Sequence, residues 1–355
     1  MNDETIESSQ INPKRQRPRA TADFLVSGLR GVASRPHRLE IVALLVIVAL
    51  AVALRAYHLG YKSLWLDEIN YARSAFGGGQ LFAPFGRSIL DHPPAYLFIT
   101  RLVLQIGRDE WLLRLVPLVA GLASIVVLWA WTRRLFGPAT ALVAAFLLTV
   151  TPMHVEYSQE AHSYGMYCLL SVLTLWLLYR AAQIEVDATA GHQAVRLNGL
   201  RTWGPFALAA VLNIYVHYYA FYVVALSVLL FPLFILDASG DRLASLWREQ
   251  ARRRAILHLL ATLMIIAVLY APQAIIGVRN SLTYAADLDS AFRGSPRDAI
   301  VWAGRAVTVP WERNQLASLG FVAILAIGLA WLLWRRRALA LALLALLILP
   351  LPPSI

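Results

Sequence analysis

Long apolar segments limit what this chain can fold into more than any other feature of its sequence. Runs such as 41–54, 115–132, 137–155 and 316–334 approach the roughly 20 residues that a helix needs to cross a bilayer. Charged residues make up 15% of the 355 residues and hydrophobic residues 59%, whereas an ordinary soluble domain is about 25% charged. We therefore predict an all-α integral membrane protein and exclude a soluble globular enzyme.

About nine segments are predicted to cross the membrane, forming a multi-pass helical bundle. The segment 202–236 has no Asp, Glu, Lys or Arg, and at about 1.5 Å per residue it is too long for one crossing and long enough for two. We place the hairpin between these two crossings near His217. The predicted spans are 41–57, 112–132, 137–154, 162–180, 203–217, 219–236, 255–276, 316–334 and 338–352.

The positions of the basic residues predict the orientation of the bundle. If the amphipathic segment 94–107 lies in the membrane interface, 20 of the 32 Lys and Arg residues are cytoplasmic and 12 are outside, as expected because cytoplasmic loops are enriched in Lys and Arg. We attribute the net charge of +11 to this orientation and to contact with anionic lipid, with no nucleic-acid partner.

This orientation predicts the organisation of the chain. Residues 1–38 are expected to form a disordered basic cytoplasmic tail. Residues 39–355 are expected to form a transmembrane domain, and truncation of this domain at its C-terminus is one interpretation of the sequence. Two long loops face outside: 57–111, with interfacial helices near 67–76 and 94–107, and 277–315.

Adjacent carboxylates, Asp67 and Glu68, follow the first predicted span. A carboxylate beside the low-dielectric edge of the membrane can act as a general base. An acid at the start of a helix can equally cap it, so both roles for Asp67 stay open on local sequence.

Further polar clusters are predicted on the same outer face. His92 precedes two prolines that suit a helix start, Glu160, His162 and Tyr164 follow the third span, and His217 lies beside two tyrosines. Ionisable groups at membrane depth are costly enough to indicate function. A solvated loop at 156–164 and an aromatic belt at His217 are the structural alternatives.

Basic residues on the outer face supply possible phosphate contacts. Arg101 and Arg279 are among them, because guanidinium groups bind phosphate through paired hydrogen bonds. Ordinary anchoring at the interface is the alternative for each arginine. The sequence has no P-loop, no dinucleotide-binding glycine pattern and no His-Glu-x-x-His, so a nucleotide donor is not indicated.

Five motifs occur in an order that resembles a known family over roughly residues 40–235. They resemble the GT-C glycosyltransferases related to protein O-mannosyltransferases and the lipid A aminoarabinose transferases. The motifs are Leu64-Trp65-Leu66-Asp67-Glu68, His92-Pro93-Pro94, Arg114-Leu115-x-Pro117, Arg133-Arg134-Leu135-Phe136-Gly137 and Tyr157-Ser158-Gln159-Glu160-Ala161-His162-Ser163-Tyr164.

The resemblance implies a membrane enzyme that transfers a sugar, with inversion, from a polyprenyl-phosphate carrier to a glycan, lipid or protein hydroxyl. Its active site is expected on the extracytoplasmic side of the inner membrane. Asp67 matches the catalytic base and Glu68 lies beside it. Two positions differ, since many relatives have Arg where this chain has Gln159 and His162.

The resemblance implies no certain cofactor and leaves open a divalent metal ion held by Asp67 and Glu160. The expected substrate-binding residues are His92, Arg101, Glu160, His162, Tyr164, His217 and Arg279. A transporter or lipid flippase and a non-catalytic membrane scaffold are the alternative functions. Polar clusters at span ends favour the enzyme, whereas broken helices near the bilayer midplane would favour a transporter.

Overall fold

The computed structural model describes residues 37–76, 93–189, 199–239 and 250–284, with residues 328 and 330. Over these ranges the chain forms ten helices and no strands. The helices are α1 (Arg38–Ala56), α2 (Leu66–Phe76), α3 (Pro94–Val103), α4 (Glu110–Phe136), α5 (Pro138–Val150), α6 (Pro152–Gln159), α7 (Tyr164–Thr189), α8 (Gly199–Val216), α9 (Ala220–Ser239) and α10 (Gln250–Tyr284).

Five helical segments in the described part of the chain are long and apolar enough to cross a membrane. They are α1, α4, Tyr164–Val186 of α7, Ala220–Asp237 of α9 and Arg253–Ile276 of α10. Helices α5 and α6 form a bent pair that would supply a sixth. The all-α, multi-pass prediction is confirmed for the described residues. The number nine stays a prediction, because α8, which corresponds to the predicted span 203–217, is not among these five segments. In addition, 338–352 and all of 316–334 except residues 328 and 330 lie outside the described residues.

Prolines and one glycine determine several helix boundaries. Pro94, Pro138 and Pro152 occupy first-turn positions of α3, α5 and α6, where a missing N–H costs no helical hydrogen bond. Gly137 separates α4 from α5 with φ of +88°, a conformation that other residues rarely adopt.

The helix ends differ from the sequence predictions at three places. The predicted span 137–154 is broken, with a bend of 60° between α5 and α6, and α6 extends the helical region to Gln159. Helix α10 continues to Tyr284, so the first residues of the predicted loop 277–315 are helical. Helices α2 and α3 lie where the two outer helices were expected, and their placement in the membrane interface stays a prediction.

Helix α7 lies at the centre of the bundle and packs against α4, α8 and α9. Leu178 of α7, Phe206 of α8 and Leu230 of α9 are fully buried in the largest core cluster. A glycine permits the close approach of α7 to α4: a Cβ added at Gly165 would lie 2.9 Å from the Pro117 carbonyl oxygen. This packing holds the N-terminal end of α7 against the second turn of α4.

Several chain segments meet at one end of the bundle, which we call the Asp67 end. It contains the C-terminal end of α1, the start of α2, the junction between α6 and α7 and the turn between α8 and α9. Side-chain contacts of Glu68, Gln159 and His217 join these segments. An ion pair between Arg133 and Glu40 joins α4 to α1 at the opposite end.

Candidate functional site

Glu68 connects three segments of the Asp67 end. Its fully buried carboxylate accepts hydrogen bonds from Arg114 Nη2 at 2.7 Å and Arg114 Nε at 2.8 Å. It also accepts the backbone N–H of Ala161 at 2.7 Å and that of Trp65 at 3.2 Å. With four donors on two oxygens, this carboxylate is fully engaged by the protein.

The capping role that the sequence left open for Asp67 belongs to Glu68. Trp65 immediately precedes α2, and its N–H is bound by the side chain of Glu68, three residues later. This is the reciprocal half of a capping box, in which a Glu in the first helical turn satisfies the N–H of the residue before the helix.

Arg114 fixes the segment between α1 and α2. Besides binding Glu68, its guanidinium donates to the carbonyls of Leu59 and Lys62, each at 2.8 Å, and to that of Ser63 at 3.4 Å. A buried arginine with all its donors directed at carboxylate and carbonyl oxygens offers little to a ligand. The sequence placed Arg114 in a family motif without indicating this partner.

Asp67 differs from its neighbour in almost every respect. Its side chain is only half-buried, and it makes no hydrogen bond or ion pair with any residue in the described ranges. It lies in the first turn of a helix whose start is fixed by Glu68. Within the described ranges, the Asp67 oxygens therefore accept no hydrogen bond, in contrast to those of Glu68.

Glu160 lies between α6 and α7, next to the Ala161 amide that binds Glu68. Burial raises the pKa of Glu160 to about 7, with contributions from Glu156, Glu68 and Asp67 and an opposing effect of Arg114. Asp67 and Glu160 are thus close enough to interact, and Glu160 can hold or release a proton near neutral pH.

The raised pKa of Glu160 predicts a pH-dependent stability. Because the folded state binds this proton more tightly than the unfolded chain does, the contribution of Glu160 to stability is complete below about pH 4.5 and is lost as pH rises through about 7. Glu160→Gln mimics the protonated side chain, so it should flatten the decline in melting temperature across this window. An unchanged pH profile in unfolding experiments would contradict this prediction.

Three aromatic side chains of the predicted site contact one another. The rings of His162 and Tyr164 stack with centroids 4.0 Å apart, and Tyr164 lies 5.2 Å from His217. Tyr71 of α2 meets His162 edge-on at 4.6 Å. These contacts place α2, the start of α7 and the turn after α8 around one aromatic cluster.

A backbone contact determines the hydrogen-bonding state of His217. Its Nδ1 accepts the backbone N–H of Tyr219 at 3.1 Å. With Nδ1 occupied as an acceptor, the neutral ring carries its proton on Nε2, which is then a hydrogen-bond donor.

Sequence comparison assigns the chain to a family. The family described as dolichyl-phosphate-mannose-protein mannosyltransferase matches residues 91–272, more than half of the chain. The chain belongs to this mannosyltransferase family. The predicted resemblance to GT-C glycosyltransferases is thereby confirmed.

Two candidate mannosyltransferases of Bacillus subtilis (strain 168) are similar to the chain. YkcB is 26% identical over 159 residues, and YycA is 26% identical over 148 residues. The matches cover 41% and 40% of this chain but 21% and 22% of those proteins. The chain therefore spans about a fifth of the length of the curated relatives it matches.

A similar solved structure is the crystal structure of the Archaeoglobus fulgidus oligosaccharyltransferase in complex with Zn and sulfate. The likeness covers 87% of this chain and 52% of that chain, with a TM-score of 0.42 and 16% sequence identity.

The predicted phosphate contacts of this mannosyltransferase-family chain are only partly described. Arg101 is buried on α3, which packs against α2 and α8. His92 lies outside the described residues. Arg279 belongs to the last turns of α10, and its side chain is outside the described part. Phosphate binding by these three residues stays a prediction.

A buried arginine binds the carbonyl groups at the break between α5 and α6. Arg55 of α1 is fully buried and donates to the carbonyls of Thr149 at 3.2 Å and Leu148 at 3.4 Å, which terminate α5. In the same way, Gln159 of α6 binds the C-terminal end of α1. Its Nε2 lies within 3.1 Å of three carbonyl oxygens there. These belong to Leu54, Arg55 and Tyr57.

His154 extends this network into α4. Arg55 Nη2 donates to His154 Nδ1 at 2.6 Å, and His154 Nε2 lies 2.9 Å from Ser124 Oγ. Since Ser124 donates its own proton to the Gly121 carbonyl, His154 must donate from Nε2. This network was not predicted from the sequence, although Arg55 at the end of an apolar span was a signal for it.

The described residues give limited support for the metal ion that the resemblance left open. Among them, no three His, Cys, Asp or Glu side chains are grouped closely enough to hold a metal ion. Asp67 and Glu160 remain the two carboxylates proposed to share one, and no step below is assigned to a metal.

Proposed function

We propose that this protein transfers a sugar from a polyprenyl-phosphate-linked donor to an acceptor hydroxyl of a glycan, lipid or protein, with inversion. The reaction takes place on the extracytoplasmic face of the inner membrane. The observation that carries the proposal is the contrast between two adjacent carboxylates: Glu68 is fully engaged by Arg114 and two amides, whereas Asp67 is half-buried and available.

In the proposed reaction Asp67 is the general base. The acceptor O–H gives its proton to the Asp67 carboxylate while its oxygen bonds to the anomeric carbon of the sugar. The bond from that carbon to the phosphate oxygen breaks, and the lipid phosphate leaves with the electron pair. Because the acceptor attacks opposite the leaving phosphate, the configuration at this carbon inverts.

Glu68 and Arg114 are positioning residues in this proposal. They fix the start of α2 against α4 and the α6–α7 junction, so the Asp67 carboxylate approaches the acceptor from one direction. Such positioning contributes to the rate because misplacement of a reacting group by about 1 Å can cost about 100-fold.

The remaining predicted site residues are proposed to bind substrate around Asp67. His92, Arg101 and Arg279 are assigned to the leaving phosphate, whose developing charge needs cationic or hydrogen-bonding partners. Glu160 and the aromatic cluster of His162, Tyr164 and His217 are assigned to the sugar or acceptor. The family description names dolichyl-phosphate-mannose, so polyprenyl-phosphate mannose is the first donor to test.

A transporter or flippase is the second candidate, favoured by the broken helix at Thr151. Broken transporter helices expose backbone groups to substrate or ions. Here the carbonyls of Leu148 and Thr149 at the break accept hydrogen bonds from Arg55. These backbone groups are therefore used by the protein and do not bind a transported substrate or ion, which favours the transferase.

The proposal is tested by following release of polyprenyl phosphate from polyprenyl-phosphate mannose in membranes that contain the full chain. We expect release of polyprenyl phosphate that requires the chain and an acceptor, and no transfer of mannose from a nucleotide-linked donor to that acceptor. Movement of the intact lipid-linked sugar between leaflets without release of polyprenyl phosphate would overturn the transferase and support the flippase.

A further inference from the structure

Two helices at the Asp67 end present matching pairs of polar residues to each other. Tyr167 and Ser171 of α7 are four residues apart, as are Asn213 of α8 and His217 just beyond it, so each pair lies on one helical face. The Tyr167 and His217 rings are 5.0 Å apart, and Asn213 Nδ2 lies 3.1 Å from Ser171 Oγ. We call these four residues the polar seam.

Asn213 is the innermost residue of the seam, and its amide is only half satisfied. The side chain is 1% exposed, and Oδ1 has no hydrogen-bond partner among the described residues. Rotating the amide would pair the oxygen with Ser171 and leave the NH₂ group without that partner. In either orientation, the oxygen or the NH₂ group of this buried amide has no hydrogen-bond partner among the described residues. This is unusual, because buried polar groups are nearly always hydrogen-bonded.

The seam lies directly beside the aromatic cluster of the predicted site. Ser171, Tyr167 and His217 are each half-buried, and Tyr164, one turn before Tyr167, belongs to the aromatic cluster. The Tyr167 hydroxyl donates to the carbonyl of Tyr219 at 3.5 Å, which ties the turn after α8 to α7. The seam is thus continuous with the cluster that surrounds the Asp67 end.

The chemistry of the seam fits a hydroxyl group. A hydroxyl both donates and accepts, so it satisfies Asn213 in either amide orientation, whereas a carboxylate or an ammonium group fits only one. His217 adds a neutral N–H donor one turn away, and the flanking rings offer apolar surface. Convergent polar groups between aromatic side chains are typical of sites for small polar ligands.

We propose that the polar seam binds one hydroxyl of the transferred sugar through Asn213 and so determines which sugar is accepted. This inference rests on the proposed function, because it takes the sugar of the lipid-linked donor as the ligand. It assigns to Asn213 a specificity role that is separate from proton transfer at Asp67.

The test compares polyprenyl-phosphate mannose with analogues that lack one hydroxyl each. We expect the native chain to transfer one of these deoxy sugars about 10–100-fold less efficiently than mannose, since an unpaired buried amide is costly. Asn213→Leu should bring that ratio to within about threefold of unity and leave the ratios for the other analogues unchanged. Ser171→Ala, which removes only the anchor of the amide, should give a smaller loss at the same position.

Thr174→Val is the matched control. It removes a fully buried hydroxyl from α7 that donates to its own helix at the Leu170 carbonyl, so every donor ratio should stay as in the native chain. Equal discrimination by Asn213→Leu and the native chain would overturn the inference and indicate that Asn213 binds only water. If Asn213→Leu does not fold, the comparison is made with Ser171→Ala. The inference is then overturned if the native chain and Ser171→Ala give the same ratio of transfer efficiencies, mannose to deoxy sugar, for every analogue. Absence of any transfer by the native chain would instead be a failure of the proposed function.

Discussion

Asp67→Asn is expected to lower sugar transfer about 10²–10⁴-fold, the usual contribution of a general base. The amide has nearly the volume of the carboxylate but cannot take the acceptor proton. Since Asp67 makes no hydrogen bond within the described ranges and the helix cap belongs to Glu68, the folded fraction and donor binding should be unchanged. The rate is measured as polyprenyl phosphate released at equal amounts of folded protein.

Asp109→Asn is a suitable control for this experiment. Asp109 is an exposed acid that immediately precedes α4 and makes no side-chain capping hydrogen bond. The same chemical change there should leave transfer within about twofold, as surface substitutions away from special features have small effects. Full activity of Asp67→Asn would show that Asp67 is not the base. Glu160, whose pKa of about 7 suits proton exchange, would then be the next candidate for the base, followed by Glu68.

The sequence predicted which candidate residues share one end of the bundle better than it predicted their contacts. Once the ends of the spans were predicted, Glu160, Tyr164 and His217 were expected at one end of the bundle, and the structure brings Tyr164 and His217 into contact there. The roles of two adjacent carboxylates could not be separated in this way. That Glu68 faces Arg114, 46 residues away, depends on how α2 packs against α4.

The broken span shows a second limit of sequence reasoning. The segment 137–154 is mostly apolar and has no Asp, Glu, Lys or Arg, and its length alone predicts one uninterrupted crossing. Pro152 occupies the first turn of α6, as proline often does, but the bend also needs a partner for the carbonyls it frees, and Arg55 comes from a different helix. The break is therefore a property of the packed bundle that local sequence only partly reveals.

Removing Arg114 is expected to have the largest effect on stability. Arg114→Met leaves the Glu68 carboxylate buried and without its cation, and breaking a buried pair typically costs about 3–5 kcal/mol. It also frees the carbonyls of Leu59, Lys62 and Ser63, so the segment before α2 should loosen. The measurement is the thermal unfolding midpoint in detergent, with Arg73→Met as the comparison. Arg73 is an exposed arginine of α2, so its loss should cost about 0.5 kcal/mol or less.

A double variant separates the charge from the hydrogen bonds in this interaction. Glu68→Leu combined with Arg114→Met removes both charges, so it should recover part of the stability that Arg114→Met loses, because no unpaired charge remains buried. Recovery should be incomplete, since the buried amide of Ala161 then lacks its acceptor and an unsatisfied buried group costs about 1–3 kcal/mol. The amide of Trp65, an exposed residue, can bind water instead. Transfer should stay low even where stability returns, because Asp67 is no longer held in place. A double variant that is less stable than Arg114→Met alone would contradict the ion pair, and one with native transfer would show that Asp67 needs no positioning by Glu68.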